Sequence, residues 1–310
     1  MKRYRFQIEW QRHGPQATSR PCSFTEASAY CRWMAKSQYE NFVVGSLLVP
    51  RELRPHFFHV YAFCRWADDL GDETATPEEA LAALAWWRES LLAMFQGNAT
   101  HPILIALQAT VREFDIGPEL FLDLLSAFEQ DQTTLRYATF EQLLEYCRRS
   151  ANPVGRLVLS LFRETAPGQL SASDDICTGL QLANFWQDVR RDCAKGRVYI
   201  PAEDLAQFEC VTWIQHAGQP VPSGFRELIH FEVDRTAGYF QRGRSLILNL
   251  KPQHRAEIEL IIRGGELVLD RIRQMGYDTW TTRPTVSKWN QAKLLLAILW
   301  RRCWPPRPSV

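Results

Sequence analysis

Helical periodicity is the feature of this sequence that most limits what it can fold into. Segment after segment places apolar residues three and four positions apart, the spacing that lines one face of an α-helix. Runs of alternating β-branched residues, which would indicate strands, are almost absent. The sequence therefore predicts an all-α fold with a single domain over residues 21–310, preceded by a candidate mobile tail at residues 1–20.

Short clusters of Gly, Pro and polar residues, none long enough for a domain linker, separate the predicted helices. Ser23 and Glu26 have the spacing of a capping box, and Pro55 and Pro118 suit a first helical turn. We predict helices at 24–36, 53–73, 77–96, 101–114, 118–130, 140–165, 173–193, 223–249, 252–276 and 286–303.

Composition excludes several classes of protein. The net charge of +1 gives no overall field that would attract nucleic acid, so any anion must be held by a local cluster. Wholly apolar runs such as Leu294–Trp300 are too short for a membrane span, which needs roughly 20 residues. The first ten residues lack the apolar core of a signal peptide, and the eight cysteines form no CxxC pair. These features predict a cytoplasmic protein with reduced cysteines.

Two segments carry oxygen ligands at one-turn spacing. In "YAFCRWADDLGDE", residues 61–73, Asp68 and Asp72 lie one turn apart with Arg65 one turn earlier. By itself this pattern is equally typical of a solvated helix face. In "QLANFWQDVRRD", residues 181–192, the ligands again step by four between apolar residues, which favours an inward-facing row: Asn184, Asp188 and Asp192.

Two inward rows of carboxylates would repel each other unless cations lay between them. Mg²⁺ suits such rows because it prefers oxygen ligands and is commonly shared with the phosphates of a substrate. The absence of His and Cys from both rows argues against zinc, and the Glu-x-x-His pattern of di-iron bundles is missing. A diphosphate would also need basic groups, and the nearby candidates, each more typical of a solvated charge when taken alone, are Arg65, Arg136, Lys195 and Arg197.

The two segments resemble the aspartate-rich signatures of the squalene and phytoene synthase family, and the resemblance extends over roughly residues 38–303. It implies an isoprenoid synthase helical bundle whose central cavity has Mg²⁺-binding motifs on opposite walls, with about two or three ions and a prenyl diphosphate that ionises to a carbocation. From the resemblance we predict metal ligands Asp68, Asp72, Asn184, Asp188 and Asp192; diphosphate ligands Arg65, Arg136, Gln181, Lys195 and Arg197; and catalytic residues Arg65, Tyr61, Tyr146 and Asn152.

Three segments depart from the common pattern of the family: "YENFVVGSLLVPRELRP" at 39–55, "YCRRSANPVGRLVL" at 146–159 and "IIRGGELVLDRIRQMGYD" at 261–278. Together they resemble the hydroxysqualene synthase branch of bacterial hopanoid biosynthesis. That branch implies ionisation of presqualene diphosphate and capture of the cation by water, without NADPH. We expect Tyr146 and Asn152 to lie on one helix, with Asn152 either orienting that water or satisfying backbone before Pro153.

Other functions remain open on the sequence. The same fold serves squalene, phytoene or presqualene diphosphate synthases, which join two prenyl diphosphates such as farnesyl diphosphate, and a non-catalytic scaffold is a third alternative. Buried carboxylates without a function would destabilise a scaffold, which disfavours that alternative. The predicted C-terminal helix, with Trp289, Trp300 and Trp304 near basic residues, packs on the bundle or makes peripheral membrane contact.

Overall fold

The computed structural model describes residues 4–17, 22–38, 49–211 and 223–285. This part of the chain is built from helices, and its one β pairing is an isolated bridge between Arg136 and Val198. The all-α prediction is therefore confirmed. The helices are α1 Phe6–His13, α2 Phe24–Gln38, α3 Arg54–Asp72, α4 Pro77–Phe95, α5 Pro102–Phe114, α6 Glu119–Gln130, α7 Phe140–Ser150, α8 Asn152–Phe162, α9 Pro167–Ala194, α10 Ala202–Gln207, α11 Ser223–Gly243, α12 Ser245–Asn249 and α13 Pro252–Gln274.

Contacts divide the chain into two compact units. Unit 1 comprises Met1–Thr134 and Arg156–Thr165, and unit 2 comprises Leu135–Gly155 and Ala166–Val310, so α8 is shared between them. In unit 1, α3 packs against α2, α4, α5 and α6 around the fully buried Trp66. In unit 2, α9 packs against α7, α11, α12 and α13. The prediction of one domain over residues 21–310 stays a prediction.

Local sequence signals explain how several helices begin. The Ser23 hydroxyl accepts a hydrogen bond from the Glu26 backbone N–H at 3.3 Å, and the Glu26 carboxylate accepts one from the Ser23 N–H at 2.9 Å. This reciprocal pair is the predicted capping box. Pro55 lies in the first turn of α3, as predicted, and Pro77 and Pro102 occupy the same place in α4 and α5.

The prediction of one helix over 140–165 is wrong. The chain leaves regular helix at Ala151 (φ −119°, ψ −48°), so that α7 ends at Ser150 and α8 begins at Asn152. Pro153 has no backbone N–H to continue the hydrogen-bond ladder of α7, which accounts for the break. Tyr146 and Asn152 therefore belong to different helices, and a regular helical rise does not relate them.

Two further boundaries differ from those predicted. The predicted helix 173–193 begins earlier, at Pro167, where the Ala166 N–H donates to Gln169 Oε1 at 3.0 Å. The predicted helix 223–249 is interrupted after Gly243. A Cβ on Gly243 would lie 2.5 Å from Ile176 Cγ1, so α11 can approach α9 this closely only at a glycine.

The N-terminal segment contains a helix that was not predicted. Within residues 1–20, the structure describes 4–17, which include α1 with Tyr4 and Phe6 buried. The Phe6 ring contacts the Trp66 ring edge-on, with 5.5 Å between ring centroids. The predicted C-terminal helix 286–303 and most of the 39–55 segment lie outside the described residues.

Candidate active site

The first aspartate motif occupies the last two turns of α3, in unit 1. Pro55 and an apolar face that includes Phe63 and Leu70 fix this helix in the core, which leaves Asp68 45% exposed and Asp72 exposed. The predicted one-turn spacing of the two carboxylates is present. Both can therefore offer oxygen atoms to a cation from the same helix.

Asp69, between them, is buried and was not among the predicted residues. Its carboxylate is 1% exposed and accepts hydrogen bonds from Arg65 Nε at 3.2 Å, from a second Arg65 nitrogen and from the Tyr4 hydroxyl at 2.6 Å. Burial raises the pKa of Asp69, and the donors Tyr4 and Arg65 oppose that rise.

Arg65, predicted as a diphosphate ligand, is half-buried and already bridges two aspartates. Its third hydrogen bond goes from NH1 to Asp68 Oδ2 at 3.1 Å. Burial alone would lower the pKa of Arg65, but Asp69 and Asp68 raise it, and Tyr61 one turn earlier acts in the same direction. A guanidinium has five N–H groups, and Arg65 uses three of them on described residues, so two are left among those contacts for a substrate anion.

The second aspartate motif lies at the end of α9, in unit 2. Buried Leu182, Phe185 and Trp186 fix the helix, and Trp186 Nε1 donates to Thr236 Oγ1 of α11 at 2.8 Å. Asn184 is exposed, whereas Asp188 and Asp192 are partly buried. All three residues were expected to face inward, but only Asp188 and Asp192 are partly buried.

Arg283, which was not predicted, holds Asp188. Its Nε donates to Asp188 Oδ1 at 2.5 Å and its NH2 to Oδ2 at 2.9 Å, a bidentate pair joining residues 95 positions apart. Gln187 Nε2 fixes the same segment by donating to the Pro284 carbonyl at 2.6 Å. Burial would raise the pKa of Asp188, but the hydrogen bond and charge of Arg283 hold it below its usual range.

The pKa of Asp192 is shifted in the opposite direction to that of Asp188. Burial and the neighbouring charge of Asp188 raise the pKa of Asp192 to about 7, although Arg197, Lys195 and Arg191 act against the rise. A carboxylate in this position gains from a cation placed between it and Asp188. The predicted basic residues Lys195 and Arg197 are thus brought to the second motif.

The strand-like segment after α9 brings Arg136 to the same region. The Val198 N–H donates to the Leu135 carbonyl at 2.8 Å beside the Arg136–Val198 bridge, and the positive charge of Arg136 acts on Cys193. Arg136 is exposed. Gln181, the remaining predicted diphosphate ligand, is half-buried on α9.

Aromatic rings lie beside this motif. Tyr146 of α7 is 3% exposed, and its ring centroid is 6.2 Å from that of Phe185 and 6.0 Å from that of Tyr199. Phe185 and Tyr199 stack with centroids 3.9 Å apart. Phe185 and Tyr199 line one small cavity together with Asp192, so this aromatic cluster lies beside a carboxylate of α9.

Asn152 has a clear structural partner. It is 7% exposed, and its amide oxygen accepts a hydrogen bond from the Thr178 hydroxyl of α9 at 3.1 Å. This bond ties the start of α8 to α9 and occupies one of the two lone pairs of the amide oxygen, which leaves one lone pair that could accept from a water molecule.

The donor sets fit Mg²⁺. Each motif offers carboxylate or amide oxygens from one helix, which are the ligands that Mg²⁺ prefers, and the charge of Asp188 beside the partly buried Asp192 is one that a cation would offset. Among residues 4–17, 22–38, 49–211 and 223–285, no cluster of three or more His, Cys, Asp or Glu side chains is close enough to bind a metal. An ion here would therefore take its remaining ligands from water and substrate, as Mg²⁺ commonly does.

Sequence reasoning missed Tyr4, Asp69 and Arg283. Asp69 had a local signal, because it follows the buried Trp66 by three residues and directly precedes the buried Leu70, which places it on the core side of α3. Tyr4 and Arg283 had no such signal, since each meets its aspartate only through the tertiary fold.

Comparisons with known proteins agree with this description. The family model described as squalene/phytoene synthase matches residues 35–290. The 15-cis-phytoene synthase of Synechocystis is 30% identical over 93% of this chain and 89% of its own, and the hydroxysqualene synthase of Zymomonas mobilis is 37% identical over 54% and 56%. The crystal structure of squalene synthase HpnC from Alicyclobacillus acidocaldarius covers 83% of this chain and 97% of its own, with 44% identity and a TM-score of 0.78.

The fold is thus that of the all-α isoprenoid synthases. The chain belongs to the squalene/phytoene synthase family, whose members act on prenyl diphosphates. In the part that the structure describes, no helix is both long and apolar enough to cross a membrane.

Proposed function

We propose that the protein converts presqualene diphosphate and water to hydroxysqualene and diphosphate, with Mg²⁺ as cofactor and without NADPH. The observation that carries the diphosphate chemistry is the charge pattern of α9, where Asp188 is held by a guanidinium and burial raises the pKa of Asp192 to about 7. Such a row of oxygen ligands with adjacent arginines is suited to a metal-bound diphosphate.

Mg²⁺ would be held by Asp68 and Asp72 on α3 and by Asn184, Asp188 and Asp192 on α9. When bound, it neutralises negative charge that develops on the departing diphosphate. Arg65 contributes its two remaining N–H groups to the same anion, and Lys195, Arg197, Arg136 and Gln181 are further diphosphate ligands in this proposal.

In this proposal Arg283 pairs with Asp188 in the absence of substrate and with the diphosphate in its presence. In the substrate-free chain it compensates the charge of Asp188, and in the complex it is available to an anion because a cation takes over the carboxylate. Its fork of N–H groups matches phosphate oxygens as well as carboxylate oxygens.

The aromatic residues would protect the carbocation. Tyr146, Phe185 and Tyr199 form an aromatic cluster next to the motif, and aromatic rings stabilise positive charge while excluding bulk water. Tyr61, one turn before Arg65, is assigned the same role near the first motif.

The choice of hydroxysqualene as product rests on similarity and on the departures from the common family pattern. Identity to the named hydroxysqualene synthase is higher, over a shorter stretch, than identity to the phytoene synthases. The competing proposal is a synthase that joins two prenyl diphosphates, which the phytoene synthase relatives and the squalene synthase structure favour. The predicted membrane contact through residues 286–303 stays a prediction.

Product analysis separates the two functions. Purified protein is incubated with Mg²⁺ and either presqualene or farnesyl diphosphate, without NADPH. The proposal predicts hydroxysqualene from presqualene diphosphate and no C30 product from farnesyl diphosphate. Joined products from farnesyl diphosphate would support the alternative, and no diphosphate release from either substrate would refute both.

A further inference from the structure

Helix α1, together with Tyr4 just before it, is attached to the end of α3 that carries the first motif. The Tyr4 hydroxyl donates to Asp69 Oδ2 at 2.6 Å, and Gln7 Nε2 donates to the Glu73 carbonyl at 2.8 Å. The second contact satisfies the carbonyl of Glu73, the residue that caps α3, and carbonyls at a helix end have no partner within the helix. Two separate hydrogen bonds therefore fasten α1 to the motif helix.

The hydrogen bond from Tyr4 to Asp69 connects to Arg65, whereas the bond from Gln7 to Glu73 does not. Asp69 accepts from Tyr4 on Oδ2 and from Arg65 on both oxygens, while Arg65 NH1 donates to Asp68. The four residues form one continuous chain of hydrogen bonds from α1 to the exposed end of the motif. Gln7 does not take part in it.

The Tyr4 hydroxyl has a geometric consequence for Arg65. A carboxylate that is 1% exposed has little water to orient it, so protein donors determine the plane in which it lies. The guanidinium pairs edge-on with that plane through a rigid fork. Removing the hydroxyl therefore lets the carboxylate, and with it the guanidinium, turn.

We propose that Tyr4 is a positioning residue, which fixes Asp69 so that Asp69 holds the Arg65 guanidinium in the orientation that meets the departing diphosphate. The inference rests on the proposed function, since it assumes that Arg65 binds this anion. Tyr4 lies outside the matched family region, residues 35–290, so this support comes from a segment of the chain that precedes that region.

Simple anchoring of α1 is the competing explanation, and Gln7 provides its control. Both Tyr4→Phe and Gln7→Ala remove one hydrogen bond between α1 and α3. Tyr4→Phe also keeps the ring that packs on Trp33, with 5.7 Å between ring centroids. Anchoring predicts similar effects of the two substitutions, whereas positioning predicts that only Tyr4→Phe affects turnover.

The experiment measures kcat and KM with presqualene diphosphate, and the affinity for inorganic pyrophosphate with Mg²⁺ by calorimetry. A charge contact that strengthens as the diphosphate departs acts on kcat, so Tyr4→Phe should lower kcat about tenfold, with KM changed by less than about twofold. Pyrophosphate affinity should fall several-fold. Gln7→Ala should leave all three values near those of the wild type.

A Tyr4→Phe protein with unchanged kcat and pyrophosphate affinity would overturn the inference, and so would equal losses in Gln7→Ala. A double-mutant cycle adds a further test: in an Arg65→Lys background, Tyr4→Phe should have little additional effect on kcat. If Tyr4→Phe does not fold, Asp69→Asn replaces it by cutting the same chain one residue further on, and an unchanged kcat there also overturns the inference. A wild-type protein that neither binds pyrophosphate nor turns over would instead refute the proposed function.

Discussion

Asp188 and Asp68 differ in how their charge is balanced. Asp188 is 22% exposed and paired bidentately with Arg283, whereas Asp68 is 45% exposed and shares Arg65 with the buried Asp69. Each carboxylate is thus compensated by an arginine, and each keeps an exposed part that a cation can reach. The two residues are the natural positions at which to test the proposed metal site.

Asp68→Asn and Asp188→Asn should each lower turnover by at least about a hundredfold, because the loss of one charge weakens stabilisation of the departing diphosphate. Both variants should still fold, but Asp188→Asn should have a lower melting temperature than the wild type, because it removes the charge that pairs with Arg283 and that keeps the pKa of Asp188 low. Asp270→Asn on α13, which replaces an exposed acid, is the control and should be neutral. Full activity in either motif variant, or of the wild type in EDTA, would contradict the proposed site.

Asn152 offers a second test at this scale. Its contact with Thr178 ties α8 to α9, so Asn152→Ala and Thr178→Ala should lower the free energy of unfolding by a similar amount, about 1–2 kcal/mol. We expect neither to change the ratio of alcohol to elimination products. A shift in that ratio with Asn152→Ala alone would show that its amide also orients the attacking water.

At the scale of helices, α13 packs against Phe240 of α11 at the position of Gly265. A Cβ on Gly265 would collide with the Phe240 ring and lie 2.8 Å from Leu180 Cδ2, whereas one on Gly264 would meet nothing within 4 Å. Gly265→Ala should therefore destabilise the protein by about 1–3 kcal/mol through overpacking. Gly264→Ala, the matched control, should stabilise it by about 0.5–1 kcal/mol, since alanine is the better helix former. Denaturant unfolding measures both, and equal effects would refute the packing described here.

Helix α13 also carries a buried acid whose ionisation opposes folding. Burial raises the pKa of Glu257 from 4.5 to about 8, and its Oε2 has no hydrogen-bond partner among the described residues. Between these two pKa values the folded state retains a proton that the unfolded state has released. The free energy of unfolding should therefore fall as the pH rises from about 4.5 to about 8 and then level off.

Glu257→Gln should remove this dependence, which makes the variant more stable than the wild type at pH 8 and about equal to it near pH 4.5. Denaturant unfolding at both values measures the difference. Glu227→Gln, which replaces an exposed acid on α11, is the control. A wild-type advantage at pH 8 would contradict the assignment.

Much of the helical pattern could be predicted because it depends on local spacing. The rows on α3 and α9 follow from steps of four residues, and the capping box at Ser23 from two side chains three residues apart. The break at Ala151 was missed because apolar periodicity continues across it, although Pro153 supplies a local reason. Helix α1 was missed because its polar, basic sequence resembles that of a mobile tail. The contacts of Phe6 and Tyr4 with α3 depend on the tertiary fold and leave no local pattern.

At the scale of the whole molecule, the contacts that complete each motif join distant parts of the chain. Tyr4 lies 65 residues from Asp69, and Arg283 lies 95 residues from Asp188. Local periodicity contains no information about such pairs, so the sequence predicts the aspartate rows and the neighbouring Arg65 but not Tyr4 or Arg283. The first motif belongs to unit 1 and the second to unit 2. The proposed function assigns both motifs to one reaction, in which a prenyl diphosphate ionises and water captures the cation.

Isotope labelling of the product tests this claim most directly. The protein is incubated with presqualene diphosphate and Mg²⁺ in ¹⁸O-labelled water, with and without NADPH, and the product is identified by mass spectrometry. The account predicts hydroxysqualene that carries one oxygen atom from the solvent, formed in equal amounts under both conditions. Squalene that forms only when NADPH is added, without incorporated oxygen, would contradict it.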